Sequence, residues 1–228
     1  MVSMSSAKPE PRALPKRFYT EAAVEAVEGG FAITLDGKKV KTPAKQLLQV
    51  HAAPLAAAIA AEWNAQQTHI DTDSMPLTRL AHIALDRVAM DRAELLADIN
   101  RYAETDLLCY RAPVEAGNPL SEDNHALRAA QEEGFAPVLR WAASQGFALD
   151  VTDGLMPIAQ PQASLNVIAA RFAAADNNQL AALAMLVPIL GSVLLPLALW
   201  AEVLGVDEAC RLARLDEDMQ AERWGQDM

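Results

Sequence analysis

The apolar and polar positions near the N-terminus follow a period of two residues. Residues 31–35, FAITL, alternate large apolar side chains with smaller ones, which predicts a half-buried strand. Gly29-Gly30 precedes this run and Asp36-Gly37 follows it, and both pairs favour tight hairpin turns. Residues 18–43 are therefore predicted to form a small antiparallel meander whose last strand lies at an exposed edge. That strand carries lysines of the kind that protect an edge from aggregation, namely Lys38, Lys39 and Lys41.

Beyond residue 53 the period lengthens to that of an α-helix. Pro54 predicts one helix start, and Pro76 predicts a second helix with an apolar stripe over residues 77–88. Asp91 followed by Glu94 has the spacing of a capping box and predicts a further helix start. The helix that opens at Pro54 is expected to place on one face Leu55, Ile59, Trp63 and Gln66.

The remainder of the chain is predicted to be helical with one exception. A helix is predicted from Ser121 to Gly146, residues 147–152 are predicted to add a strand, and every pattern after Pro161 is helical. This order predicts an α+β fold, with a small N-terminal antiparallel β portion followed by a large, mainly α-helical portion. We expect three parts: a flexible tail at residues 1–15, an N-terminal β-rich domain with one helix at residues 16–75, and a C-terminal α-helical domain at residues 76–228.

Residues 177–201 carry no formal charge, and two interpretations of this stretch are open. Its length permits a transmembrane helix. However, Pro188, Gly191-Ser192 and Pro196 interrupt the stretch, and no basic cluster flanks it to fix an orientation. A pair of helices that breaks near Gly191 and lies in the core explains the pattern better, so we expect no membrane span.

Composition and charge exclude several classes of protein. With 228 residues, of which 52% are hydrophobic, the chain can bury a sizeable core and is not a disordered protein. The formal net charge of −11 argues against binding to nucleic acid. An acidic surface either keeps the protein solvated or meets a complementary partner. Cys109 and Cys210 are expected to be buried thiols in a reducing compartment rather than a disulfide.

The candidate chemistry in the sequence is sparse. The sequence contains no Walker-type phosphate loop and no GxGxxG, GxSxG, HExxH or CxxC motif. His69, Asp71 and Asp73 form the one cluster that resembles a metal site, and a polar loop is the simpler interpretation. We therefore expect no catalytic residue, no cofactor and no bound metal. The alternative is a small-molecule enzyme with a polar site between the β portion and the helical portion.

Several segments occur in an order that is similar to that of one known family. They are KRFYTEAAVEAVEGGFAITLDGKKVKTP from residue 16, AAEWNAQ from residue 60, MPLTRLAHIALDR from residue 75 and TDLLCYRA from residue 105. The agreement continues with FAPVLRW from residue 135, the Gly191-Ser192 break and LDEDMQAERWGQD from residue 215. The chain resembles the assembly chaperones for the α subunit of F-type ATP synthase, which occur in mitochondria and in α-proteobacteria.

The resemblance implies a two-part α+β fold and a chaperone rather than an enzyme. Members of this family bind the unassembled α subunit and cover a surface that later contacts the β subunit, and such apolar interfaces aggregate when exposed. The resemblance also implies an important acidic residue near the C-terminus. Trp63 and Trp141 are expected in the core rather than in contact with a partner. The residues predicted to bind the partner are Asp216, Glu217, Gln220, Glu222, Trp224, Arg79, Asp86 and Arg87.

The N-terminal residues bear on where the protein acts. Residues 1–15 contain three prolines and no apolar run, so we do not expect a secretory signal. Prolines also oppose the amphipathic helix of a mitochondrial transit peptide. The expected location is therefore the bacterial cytoplasm, or the mitochondrial matrix if the source is eukaryotic.

Overall fold

The chain divides into two compact units. In the computed structural model, the described residues are 14–114, 121–153 and 156–224, so most of the expected N-terminal tail lies outside them. The first unit is formed by residues 1–86 and the second by residues 87–228. The sheet lies in the first unit and the second is mainly helical, which confirms the α+β class. The sequence predicts a domain boundary after residue 75. A domain is a part of the chain that can fold by itself, which a division by contacts does not test, so this boundary stays a prediction.

Within the described part of the chain, the first unit holds a four-stranded antiparallel sheet. Strand β1 (Ala22–Val27) pairs along its whole length with strand β2 (Gly30–Leu35). Strands β3 (Lys38–Lys39) and β4 (Gln49–Val50) pair with opposite ends of β2. Gly30 has a φ of +152°, and a Cβ there would lie 2.5 Å from the carbonyl oxygen of Val50. The predicted meander is confirmed, and its turn requires glycine at residue 30.

Strand β2 is more deeply buried than its sequence pattern predicts. Residues Ala32 through Leu35 are all buried, so the expectation of one exposed face is wrong. Thr34 is tolerated in the interior because its hydroxyl donates a hydrogen bond to the carbonyl oxygen of Ala23 at 3.3 Å. The core of the first unit consists of one cluster with Ile33, Leu48, Val50, Ala56, Ile59 and Ala81, and another with Tyr19, Ala22, Leu35, Ile70 and Met75.

Helices α1 (Ala53–Ala65) and α2 (Pro76–Ile83) pack together in the first unit, and each carries a proline in its first turn as predicted. Glu62 of α1 accepts a hydrogen bond from the N–H of Leu77 at 2.7 Å. It also accepts from the N–H and the hydroxyl of Thr78, at 2.8 and 2.7 Å. A carboxylate at a helix N-terminus satisfies free N–H groups and interacts favourably with the helix dipole. Glu62 therefore joins the two helices by capping the second.

A π-helical turn at residues 84–88 leads from α2 into helix α3 (Ala89–Glu104). Helix α3 is kinked at Asp91, whose φ of −112° and ψ of 23° are not helical, so a helical segment restarts there as predicted. The predicted capping box is wrong, because Asp91 and Glu94 are both exposed and no hydrogen bond joins them in the described structure. The structure places a capping box at Asp176 and Gln179, where each side chain accepts the other residue's N–H at 2.9 Å.

The second unit continues with further helices. The uncharged stretch 177–201 forms two of them, separated at Gly191, whose φ is +61°. Most of its apolar side chains are buried, which confirms the predicted pair of core helices. Among the described residues, no helix combines the length and the apolarity needed to cross a membrane. The helices are α4 (Ser121–Ser144), α5 (Gln162–Ala174), α6 (Asn177–Leu190), α7 (Leu194–Trp200), α8 (Val206–Ala213) and α9 (Leu215–Trp224).

A buried carboxylate determines where α7 begins. Asp106 is fully buried and accepts hydrogen bonds from the hydroxyl of Ser192 at 2.9 Å and from the N–H groups of Val193 and Leu194 at 2.7 and 3.1 Å. Its other oxygen accepts from the N–H of Leu108 at 2.9 Å. Burial raises the pKa of Asp106 from 3.8 to about 6, although these hydrogen bonds act in the opposite direction. Asp106 thus links the turn at residues 107–109 to the start of α7.

The strand predicted at residues 147–152 is wrong. The segment is extended, but it forms only an isolated parallel bridge between Thr152 and Tyr110 in the described structure. Phe147 and Leu149 are buried, so the apolar alternation reflects packing into the core of the second unit rather than strand pairing.

The two cysteines differ in exposure. Cys109 is buried as expected, and burial raises the pKa of its thiol to about 12. The expectation of a buried thiol is wrong for Cys210, which is exposed because α8 turns Ala209 and Leu212 inward instead. Both thiols are free.

Candidate partner-binding surfaces

An open apolar groove lies among α4, α5 and α7 in the second unit, with a volume of about 690 Å³. Its lining is mostly apolar and includes one charged side chain. The lining residues are Trp141, Asn166, Val167, Ala170, Arg171, Ala174, Leu197, Trp200 and Ala201.

The residue pattern of α5 explains why space is left there. Ser164, Ile168 and Phe172 are four residues apart and form the buried face of α5. Ala170 and Ala174 are also four residues apart, are exposed, and line the groove. Since alanine has the smallest side chain that a helix commonly carries on such a face, the groove stays open where larger side chains would fill it.

Two tryptophans line the groove from different helices. Trp141 of α4 is half-buried and meets Phe147 edge to face, with 5.4 Å between ring centroids. Trp200 is the last residue of α7 and remains 41% exposed. Trp63, in contrast, packs against both apolar clusters of the first unit, as expected. Trp141 therefore has a packing role and also faces the groove, a position that its sequence context did not reveal.

The charged side chain of the groove is Arg171. Its guanidinium lies over the ring of Phe147, 5.3 Å from the centroid, and donates a hydrogen bond to the amide oxygen of Gln145 at 3.0 Å. Both neighbours are uncharged. Among the described residues, Arg171 forms no ion pair with a carboxylate. The arginines that do form such pairs are Arg79, Arg101, Arg128, Arg211 and Arg214. The guanidinium of Arg171 therefore has no carboxylate partner in the described part of the chain.

Among the predicted partner-binding residues of α9, Asp216 is held within the fold. Both of its carboxylate oxygens accept hydrogen bonds from the amide nitrogen of Gln131 on α4, each at 2.9 Å. The amide oxygen of Gln131 accepts from the N–H of Ala112 at 2.7 Å. Asp216 is half-buried, so its contacts attach α9 to α4.

The other predicted residues of α9 are more accessible. Glu217 lies 4.0 Å from Arg214, and the side chains of both are largely exposed. Gln220 and Glu222 are exposed as well. The side chain of Trp224 lies outside the described set. The outer face of α9 is thus acidic and exposed, whereas Asp216 faces α4.

Three residues predicted to bind the partner lie within residues 77–88, and their environments differ. They are Arg79, Asp86 and Arg87. Arg79 forms a long, exposed contact with Asp73, 3.5 Å from nitrogen to oxygen. Asp86 accepts hydrogen bonds from the Thr42 hydroxyl and from the N–H of Ala44 at 3.1 Å. It therefore ties the loop after β3 to the end of the first unit. Arg87 is exposed and begins the second unit.

The cluster considered as a metal site serves local structure instead. The carboxylate of Asp71 accepts the N–H of Asp73 at 3.0 Å and starts a short 3₁₀ turn. His69 lies in contact with the hydroxyl of Thr68, and Asp73 points to Arg79. Within the described ranges, no group of three or more histidine, cysteine and carboxylate side chains is arranged to hold a metal ion.

Comparison with known proteins identifies the family. Residues 16–143, more than half of the chain, match the family model described as ATP12 chaperone protein. The mitochondrial protein atp12 of Schizosaccharomyces pombe is 26% identical over 98% of this chain and 78% of its own length. The crystal structure of Atp12 from Paracoccus denitrificans has a TM-score of 0.86 and 39% identity, covering 93% of this chain and 88% of that one. A protein of Agrobacterium tumefaciens has a TM-score of 0.85 and 40% identity, covering 94% and 78%. The chain therefore belongs to the ATP12 chaperone family.

Proposed function

We propose that this protein binds the unassembled α subunit of F-type ATP synthase and keeps it from aggregating until the catalytic head forms. Membership in the ATP12 chaperone family supports this assignment, as does the order of motifs between Lys16 and Asp227. The protein acts by binding, without hydrolysing a nucleotide and without a cofactor. Likeness to two bacterial proteins over more than nine-tenths of the chain supports the bacterial cytoplasm as its place of action.

The observation that carries the proposal is the open apolar groove in the second unit. An apolar surface of this kind on a folded chain commonly marks a binding site for another protein. Exposed tryptophans are also among the side chains that contribute most to protein–protein binding, and Trp200 is such a residue. An α subunit without its β neighbours exposes apolar surface that aggregates, so a groove of matching character gives that surface a temporary partner.

Two ionisable groups among the described residues have strongly shifted pKa values, Asp106 and Cys109, and both shifts have structural explanations. Asp106, whose pKa burial raises to about 6, uses its carboxylate to start α7. Cys109, with a pKa of about 12, stays protonated near neutral pH and is a poor nucleophile. Perturbed pKa values can mark catalytic groups, but both of these shifts follow from burial in the core. They support a binding function more than a catalytic one.

The proposal is tested with isolated α subunit diluted out of denaturant in the presence of this protein. We expect the chaperone, added at equal concentration and without ATP, to suppress light scattering by the α subunit and to be captured with it at low salt. Isolated β subunit is the matched control client and should gain less protection. Phosphate release in the presence of ATP should not exceed that of the α subunit alone. Absence of both capture and protection would contradict the assignment.

A further inference from the structure

We propose that the groove of α4, α5 and α7 binds an amphipathic helix of the client, and that an acidic side chain of this helix pairs with Arg171. This inference rests on the proposed function, because it specifies which part of the client is recognised. The groove is the one defined above by its lining from Trp141 to Ala201.

The walls of the groove favour a helix over a strand as the occupant. All three elements around it are α-helices, whose backbone groups are paired along each helix except for carbonyl groups in the last turns of α5 and α7, so the groove offers no strand edge. A strand would bring unpaired backbone groups into an apolar groove, and each of these costs free energy unless it finds a partner. A helix satisfies its own backbone and presents only side chains. Helices that bind in this way use anchors at positions i, i+3 or i+4, and i+7.

The size and lining of the groove fit one face of a helix. A volume of about 690 Å³ holds a few apolar side chains rather than a whole folded surface. Trp141 and Trp200 supply broad, rigid contact surfaces from two different helices. Ala170 and Ala174 lie one helical turn apart on α5 and leave room for incoming side chains.

Charge complementarity determines the polar part of the occupant. The chain as a whole carries a formal net charge of −11, yet the charged lining residue of the groove is a cation. The guanidinium of Arg171 contacts a neutral amide and an aromatic ring, so most of its N–H donors are available to a ligand. A carboxylate can accept two parallel hydrogen bonds from such a group, and the apolar surroundings strengthen the pairing. We therefore infer an apolar helix face with an aspartate or glutamate at its margin.

Binding of the full-length variants to isolated α subunit tests this inference. Ala170→Trp fills the groove from an exposed position, and Arg171→Glu reverses its charge. We expect each to weaken binding by about tenfold or more, as is usual for the centre of an interface. Arg171→Gln should weaken it less and reduce the dependence of the affinity on salt. The matched controls are Ala126→Trp and Arg140→Glu, which change exposed residues of α4 outside the lining and should bind within about twofold of the wild type.

A photo-crosslinking amino acid at position 200 identifies the occupant. We expect crosslinks to α-subunit residues spaced by three, four or seven, on a helix that also carries an acidic residue. Crosslinks to a strand or to a second copy of this chain would overturn the inference, as would groove variants that bind like the wild type while remaining folded by circular dichroism. If the wild-type protein fails to bind the α subunit, the proposed function itself fails. If it binds and the groove variants bind equally well, only the role of the groove is refuted.

Discussion

Replacing Glu62 by alanine removes the acceptor of three hydrogen bonds at the start of α2. The N–H groups of Leu77 and Thr78 lie in the first turn of the helix, where no backbone carbonyl can accept them. Thr78 is only 2% exposed, so water cannot easily replace the lost acceptor there. The loss at Leu77, which is half-buried, should be smaller.

The size of the effect follows from these contacts. Loss of a helix cap costs about 1 kcal/mol, and a buried donor left without an acceptor costs about 1–3 kcal/mol. Counting the Leu77 N–H as a lost cap, and the Thr78 N–H and hydroxyl as a buried pair, gives a destabilisation of about 3 kcal/mol. Glu62→Gln keeps one oxygen acceptor but no charge, and we expect roughly half of that loss.

Urea unfolding followed by circular dichroism measures the change, and hydrogen exchange of the Leu77 and Thr78 amides locates it. Asp73→Ala is the matched control, because Asp73 is an acidic residue just before α2 whose side chain makes only an exposed contact with Arg79. This control should lose less than about 0.5 kcal/mol. The reasoning is refuted if Glu62→Ala and Asp73→Ala lose equal stability, or if exchange at Leu77 and Thr78 is unchanged.

Three further predictions concern turns, thiols and pH. Gly30→Ala should lower the free energy of unfolding by about 2 kcal/mol more than Gly37→Ala does. The reason is that a Cβ at Gly30 would lie 2.5 Å from a backbone oxygen, whereas a Cβ at Gly37 meets nothing within 4 Å. Equal losses in urea unfolding would contradict this. Cys210 should react with Ellman's reagent in the folded protein and Cys109 only after unfolding, since Cys109 is buried with a thiol pKa of about 12. Rapid reaction of both thiols in the folded protein would contradict this prediction. Because the folded-state pKa of Asp106 is raised from 3.8 to about 6, its stabilising contribution is fully present below about pH 4 and is lost as the pH rises through 6. Asp106→Asn should lack this fall in unfolding free energy between about pH 4 and pH 7, and parallel curves for the two proteins would rule the explanation out.

The elements that depend on local chemistry were predictable from the sequence. Pro54 and Pro76 mark the first turns of α1 and α2, because proline lacks an N–H and its fixed φ suits a helix start. Gly191 marks the break between α6 and α7, because its φ of +61° is strained for other residues. The period-two segment became β2, and the ordered motifs indicated the family that the comparisons show.

The partners of the polar side chains could not be predicted, because they lie far apart in the chain. Asp106 meets Ser192, and Asp216 meets Gln131, across separations of 86 and 85 residues. A local pattern misled where burial depended on neighbouring elements, as at the exposed Cys210.

The groove shows the same division between sequence and tertiary structure. The sequence by itself determined that α4, α5 and α7 would be helices with apolar faces, because periodicity and helix breaks act within each segment. Only the tertiary structure decided that Trp141, Arg171 and Trp200, from three separate helices, would line one opening. The physical reason is that a helix can bury only part of its surface, and packing among several helices selects which part remains accessible.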